Sequence, residues 1–222
     1  MMRFMSVVVL LAALRVAPAA EFTVKTADKA PPKEIGDSIR GALQSKAIQL
    51  LQGDKLAAEI WLRSELSLKS KPASAREALG SIAEFALLGA VSVEGAGLRD
   101  YKDNEVPKGF FTARFILQPK DGDHLGTAEF DYFIALIGVA DDKELTGLAG
   151  FKPTVRASGK LTSSGHPLII SLRPATSDAP APSLTTPAEE HKAIRMKLPG
   201  KTGGEKADVA FDLVIEGHGH IQ

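Results

Sequence analysis

The densest group of potentially reactive side chains lies in a polar segment between two apolar stretches. Asp121, Asp123 and His124 place two carboxylates and an imidazole within four residues. Mixed oxygen and nitrogen ligands suit Zn²⁺ or Mn²⁺ better than Ca²⁺, which prefers oxygen alone. An EF-hand would also need an oxygen ligand at its fifth position and Glu at its twelfth, where this chain has Leu125 and Tyr132. The cofactor is left open, and a divalent transition metal is the candidate.

A second histidine, His166, precedes the apolar run Leu168–Leu172. The strand ends of a β-sandwich cluster at its two ends, so His166 would approach His124 if both loops share one end. Two histidines and one aspartate would form a three-ligand metal site with an open position for water. The alternative is structural, with Asp side chains accepting backbone N–H bonds and with Gly122 and Gly126 at positive φ. The sequence leaves both interpretations open.

No other pattern indicates an enzyme class. The Gly-x-Ser-x-Gly, His-Glu-x-x-His, phosphate-loop and Gly-x-Gly-x-x-Gly motifs are absent. There are no cysteines, which excludes disulfides, thiolate metal sites and cysteine nucleophiles. His191, His218 and His220 are assigned no role. Glycosidase carboxylate pairs depend on spatial separation, so the sequence does not test them.

The stretches on either side of the polar segment have the composition of β-strands. Phe110–Leu117 and Phe130–Ile137 are rich in aromatic and β-branched residues and are bounded by Gly, Pro and Asp. They predict an antiparallel pair with an extended connection. Further strands are predicted at Ala47–Leu51, Leu56–Leu62, Ile82–Val93, Leu168–Leu172, His191–Leu198 and Ala207–Ile215. In the last of these, Val209, Phe211, Leu213 and Ile215 alternate with other residues, as expected for a half-buried strand.

One short N-terminal helix is predicted from about Pro32 to Gln44, with Ile35, Ile39 and Leu43 packing on a sheet. Strands and helices do not alternate along the chain, which disfavours a parallel sheet. We therefore predict a mainly β fold, an antiparallel β-sandwich, with a closed β-barrel as the alternative.

Several arginines lie within or beside apolar segments. A buried Arg needs a partner, so we expect Arg63, Arg99 and Arg114 to form ion pairs with acids such as Asp100, Glu59 or Asp131. Trp61 is expected in the core.

Residues 1–19 have the composition of a cleaved secretory signal. A short basic start precedes the apolar run Ser6–Leu14, and Ala17-Pro18-Ala19 supplies a small-x-small cleavage pattern. The apolar run is shorter than the roughly 20 residues needed to span a bilayer, and no transmembrane segment is expected in the mature chain. We predict an exported protein, periplasmic or extracellular, with residues 20–222 forming a single β-rich domain. A Pro-rich loop is expected at about 174–190.

The charge of the mature chain gives no reason to expect a nucleic-acid partner. The full chain has 27 basic and 27 acidic residues, and removing residues 1–19 takes away Arg3 and Arg15 and no acid. The mature formal charge is therefore −2, which provides no basic field. Two functions are compatible with these features. The first is a non-catalytic binding or interaction module, and the second is a metal-dependent hydrolase using Asp121, Asp123, His124 and His166.

Several segments carry a resemblance to a known family. They are Arg99-Asp100-Tyr101, Val106–Thr112, Leu117-Gln118-Pro119, Asp121–Ala128, Glu59–Arg63, Leu87-Leu88-Gly89 and His166-Pro167. Together they resemble a family of uncharacterised exported proteins from planctomycete-like and acidobacterial-like genomes, over about Pro32 to Leu172. A weaker likeness, limited to Pro107–Pro119, is to small β-sandwich domains of unknown function. The resemblance implies export and brings no activity, substrate or cofactor.

Overall fold

A computed structural model describes residues 21–95, 97–122, 124, 128–148, 150–189 and 191–217. In chain order, the strands are β1 (Phe22–Ala27), β2 (Ala47–Gln52), β3 (Lys55–Leu62), β4 (Leu66–Ser67), β5 (Leu87–Val93), β6 (Gly109–Leu117), β7 (Tyr132–Gly138), β8 (Ile169–Pro174), β9 (Ser183–Thr185), β10 (Lys192–Leu198), β11 (Gly200–Thr202), β12 (Glu205–Lys206) and β13 (Val209–Glu216). The helices are α1 (Asp37–Arg40) and α2 (Phe151–Gly159), and a 3₁₀ helix spans Ala75–Ser81. No helix in these residues is long and apolar enough to cross a membrane.

Ten of these strands form one antiparallel sheet in the order β1-β2-β3-β5-β6-β7-β8-β13-β10-β9. The sheet curls until its edge strands β1 and β9 lie beside each other, so that it is nearly closed. The mainly β class and the antiparallel pairing are confirmed. Of the two architectures that the sequence leaves open, the single curled sheet corresponds to the barrel and not to two stacked sheets.

The barrel has two ends, the hairpin end and the loop end, each named after the chain segment that covers it. The hairpin end carries the connection between β6 and β7, residues 118–131, and the loop end carries residues 94–108. Leu79 and Ile82 from the 3₁₀ segment fill the barrel at the hairpin end, and Leu98 and Val106 fill it at the loop end. The interior is packed between them, with an apolar void of only about 20 Å³. The barrel is therefore a core and not a ligand cavity.

The inward faces of the strands follow the expected alternation. In β13, Val209, Phe211, Leu213 and Ile215 all belong to the interior core, as predicted. On the outer side of β2, β3 and β5, Ile35, Ile39 and Leu43 pack against Trp61, Leu87 and Ala90. The predicted N-terminal stripe is confirmed, although the α-helix itself covers only Asp37–Arg40. Trp61 is buried in this outer cluster, and its indole N–H donates to the Lys29 carbonyl at 2.8 Å.

The outer face also carries two fully buried ion pairs. Arg114 Nε and Nη2 donate to the two carboxylate oxygens of Asp142 at 2.8 and 2.9 Å. Arg195 and Asp212, opposite each other on β10 and β13, form the second pair, at 2.7 Å. Burial is tolerated at both places because each guanidinium meets a carboxylate and additional carbonyls.

The predicted arginine partners were wrong, although two of the three arginines do form ion pairs. Arg114 pairs with Asp142, and Arg99 pairs with Asp103 at 3.4 Å. Arg63 makes no side-chain hydrogen bond or ion pair within the described residues. Its pKa is lowered, first by burial and then by the charge of Arg114, while Glu65 acts in the opposite direction.

Two further differences from the sequence prediction have local causes. The chain before Pro32 contains strand β1, whose pairing with β2 comes from the sheet and not from its own weakly apolar composition. The strand predicted from Ile82 begins only at Leu87, because Phe85 has a φ of 67° and interrupts the extended backbone.

Candidate binding groove

The predicted polar segment forms part of the connection at the hairpin end. His124 Nδ1 lies 2.6 Å from Asp121 Oδ1, and the His124 amide donates to the Asp121 carbonyl at 3.2 Å. The Gln118 side chain donates to the His124 carbonyl at 2.6 Å. Asp123 and Gly126 lie outside the described residues. The structure thus brings together Asp121 and His124, which are hydrogen-bonded to each other within one turn.

His166 lies at the other end of the barrel. Ala135 in β7 pairs with Ile169, and the Leu136 amide donates to the Leu168 carbonyl, so the chain before Leu168 continues toward the loop end. The hairpin connection begins at the opposite end of β7. At about 3.3 Å per residue, the separation along the sheet is roughly 15–20 Å. The structure therefore does not bring His166 to His124.

The recess around His166 is polar and does not assemble metal ligands. It has a volume of about 450 Å³, and Asp100, Asn104 and Ser164 are among the residues that line it. Since a carbonyl only accepts, the His166 Nδ1 at 3.0 Å from the Pro167 carbonyl carries the proton. Within the described ranges, no three His, Asp or Glu side chains are placed to hold a metal ion.

A different feature of the hairpin end has the form of a ligand site. A groove of about 500 Å³ lies between the hairpin and the segment that covers this end of the barrel. Its floor is apolar and consists of Ile82, Phe115, Leu117, Pro119, Tyr132 and Phe151. Its polar residues are Lys69, Glu84, Gln118, Lys120 and Asp131. An apolar floor with a few polar groups and a volume of about 300–1,000 Å³ is typical of small-molecule sites.

Four charged side chains form what we call the groove rim: Lys69, Glu84, Lys120 and Asp131. None of them makes a side-chain hydrogen bond or ion pair with the described residues. A recess of about 490 Å³ at the loop end differs on both counts. Its lining has no large apolar side chain, and its cations Arg99 and Lys192 are paired with acids. The groove therefore combines exposed apolar surface with charges that are available to a ligand.

The aromatic residues of the groove differ in how much ring surface they present. Phe115 is fully buried, and its ring stacks on Tyr132 with centroids 6.1 Å apart. Phe151, the first residue of α2, is 38% exposed. An ideal Cβ on Gly80 would lie 3.4 Å from the Tyr132 hydroxyl, so the absence of a side chain there keeps the groove open.

A buried network behind the groove fixes two of its walls. Arg114 Nη1 donates to the Phe85 carbonyl at 3.3 Å, directly after Glu84 on the groove rim. The same guanidinium donates to the Leu145 and Glu144 carbonyls at 3.1 and 2.7 Å, in the loop that leads to Phe151. The Thr112 hydroxyl also donates to Asp142 at 2.6 Å. We call Arg114, Asp142 and Thr112 together the buried clamp.

Sequence reasoning did not identify the groove, because its residues come from four separated segments. Lys69 and Glu84 carry no local signal of function, since single exposed charges are common on any surface. The one signal available was that Asp131 and Tyr132 follow the polar segment and begin the next strand.

No family model, curated protein or solved structure matches the chain.

Proposed function

We propose that the chain is an exported, non-catalytic binding protein that takes its ligand in the groove at the hairpin end. The observation that carries the proposal is the apolar floor bordered by four charged side chains that make no hydrogen bond or ion pair with the described residues. Unpaired charges on the groove rim add nothing to the folding stability of the protein. A ligand that contacts both the apolar floor and these charges would bind more tightly and in a defined orientation.

The filled interior supports a surface site. Many barrel proteins hold ligands inside the barrel, but here the void among the described core residues measures about 20 Å³, which is room for about one water molecule. A ligand of ordinary size is therefore expected on the outside, where the groove offers about 500 Å³.

The test is a fragment screen on the mature protein by ¹H–¹⁵N NMR. Fragments that combine an alkyl or aryl group with an amide, amine or carboxylate should shift the amide signals of Gly80, Gln118 and Tyr132. Gly80→Trp places an indole in the groove and should abolish these shifts. Gly41→Trp is the matched control, because Gly41 is exposed at the end of α1. Hits that bind Gly80→Trp as well as wild type, or that cluster only at the loop end, would refute the proposal.

The competing proposal is a metal-dependent hydrolase that uses Asp121, Asp123, His124 and His166. It has weaker support, because His166 lies at the other end of β7 from His124. Titration of the mature protein with Zn²⁺ and Mn²⁺, with His124→Ala as control, separates the two proposals. Stoichiometric binding that His124→Ala removes would favour the hydrolase.

Export is proposed from the pattern of residues 1–19. N-terminal sequencing of the protein recovered outside the cytoplasm should begin at about Ala20. A chain that still begins at Met1 would contradict the predicted cleavage.

A further inference from the structure

We propose that the groove binds an extended peptide, which places one aliphatic side chain on the floor and carries both an acidic and a basic residue beside it. This inference rests on the proposed function and adds the chemical class of the ligand.

The floor favours an alkyl group over a flat sugar ring. Leu117 and Pro119, which are both partly exposed, contribute aliphatic surface. The ring of Phe115 is fully buried and stacked on Tyr132, so it presents no free face. Binding of a saccharide typically needs open aromatic faces, whereas here Tyr132 is partly buried and stacked on Phe115, and Phe151 is 38% exposed. One aliphatic side chain is the group that this floor covers best.

The charges on the groove rim are arranged by wall. Lys120 and Asp131 belong to the two arms of the hairpin, which are joined where the Gln118 amide donates to the Asp131 carbonyl at 2.9 Å. Lys69 and Glu84 belong to the segment between β4 and β5 on the other side. Each wall therefore presents one cation and one anion. A polyanion or a metal ion would meet a repelling charge on both walls, whereas a peptide with both signs meets an attracting charge on each.

The filled barrel interior disfavours a ligand with long acyl chains. A lipid with a zwitterionic head would also offer alkyl groups and both charges, but its tails would need a cavity that continues into the barrel. The interior is filled by core side chains, with a void of only about 20 Å³ beneath the sheet. A short side chain attached to a polar backbone needs no such cavity.

The experiment is selection from a phage-displayed library of random linear 12-residue peptides on the mature wild-type protein. Selected sequences are synthesised and titrated by NMR. We expect them to share an aliphatic residue flanked by an acid and a base. Gly80→Trp should weaken binding more than tenfold. Glu84→Gln and Lys120→Gln should each weaken it about twofold to fivefold, since an exposed charge pair contributes up to roughly 1 kcal/mol.

Matched controls separate loss of binding from loss of folding. Gly41→Trp adds the same side chain elsewhere, and Lys33→Gln removes an exposed lysine far from the groove in sequence. Both should bind the peptides as wild type does, and all variants should keep the wild-type melting temperature within a few degrees. The charge variants keep the test valid even if Gly80→Trp fails to fold.

Two outcomes would overturn the peptide class. One is that no peptide is selected, and the other is that selected peptides bind Glu84→Gln, Lys120→Gln and Gly80→Trp as tightly as wild type. If fragments still bind the groove in the NMR screen, or if neutral oligosaccharides or zwitterionic lipid micelles bind there instead, the ligand class is wrong and the binding function stands. If fragments also fail to bind in the groove, both the peptide class and the proposed binding function are refuted.

Discussion

The buried clamp and the groove rim both contain basic and acidic side chains. The two regions are adjacent, because Arg114 of the clamp contacts Phe85, the residue after Glu84 on the groove rim. In the clamp, Arg114 and Asp142 are each 1% exposed, and every guanidinium nitrogen donates to Asp142 or to a backbone carbonyl. On the groove rim, Glu84 and Lys120 are exposed and make no side-chain bond to the described residues.

This difference shows that burial, and not residue type, determines whether a charged side chain is paired within the protein. A charge removed from water must be paired and hydrogen-bonded inside the protein. A charge left in water can stay unpaired at no cost, and it then remains available to a ligand. The two regions are also connected, because the clamp holds the carbonyl of Phe85 next to Glu84. The clamp therefore holds the backbone at Phe85 in place, while the neighbouring Glu84 side chain remains exposed to solvent.

The largest effect is expected from breaking the clamp. Asp142→Ala leaves Arg114 buried without its carboxylate, which should lower the free energy of unfolding by about 3–5 kcal/mol. Asp141→Ala is the matched control, because Asp141 is exposed and pairs with Lys160 on the surface. It should cost less than about 1 kcal/mol. Urea denaturation of both variants measures the difference, and equal losses would show that the clamp contributes no more than a surface pair.

The fold class and several of the secondary-structure elements could be predicted from the sequence, because the spacing of apolar residues along the chain is a local property. The alternation in β13 predicted the buried Phe211, and the stripe Ile35, Ile39 and Leu43 predicted a helix packed on the sheet. The clamp could not be predicted, since Asp142 lies in a charged loop whose path depends on Arg114. The groove rim depends in the same way on the meeting of distant segments, which no local pattern encodes.

A smaller loss is expected from crowding the clamp at Gly147. This residue has a φ of 67°, and an ideal Cβ there would lie 2.2 Å from Arg114 Cζ. Gly147→Ala therefore combines backbone strain with a steric clash and should cost about 2–3 kcal/mol. Gly165, in the turn that follows α2, has a nearly equal φ of 71°, but nothing lies within 4 Å of its Cβ position.

Gly165→Ala therefore carries a similar backbone strain without the clash, and should cost about 1 kcal/mol. Thermal denaturation of the two variants isolates the contribution of the contact with Arg114. If Gly147→Ala proved no worse than Gly165→Ala, the loop that carries Gly147 would be free to move away from the guanidinium, and the clamp would not fix the wall of the groove.

An intermediate effect is expected at Thr112, whose hydroxyl donates to Asp142 at 2.6 Å inside the clamp. Thr112→Val keeps the shape and removes the hydroxyl, so Asp142 loses one of its hydrogen bonds. Hydrogen bonds to charged groups contribute roughly 1.5–3 kcal/mol, and we expect a loss near the lower bound because Arg114 still donates twice to the carboxylate. A melting temperature equal to that of wild type would mean that the hydroxyl adds nothing to the pair.

The smallest effect is expected at Gly122, beside the groove on the hairpin connection. The structural interpretation of the polar segment expected a positive φ at this position, which would make Val costly. That prediction was wrong, because the φ of Gly122 lies outside the left-handed region and nothing lies within 4 Å of its Cβ position. Gly122→Val should therefore change the free energy of unfolding by less than about 0.5 kcal/mol.

The comparison variant for Gly122 is Gly53→Val in the turn between β2 and β3. Gly53 has a φ of 60°, where a β-branched side chain is strained, and the substitution should cost about 1–2 kcal/mol. Urea denaturation of the pair tests whether the hairpin connection behaves as open surface, as the groove rim requires. A loss at Gly122 as large as that at Gly53 would mean that the connection is packed or strained. Lys120 and Asp131 would then belong to a braced loop, more like the buried clamp than like a surface that binds a ligand.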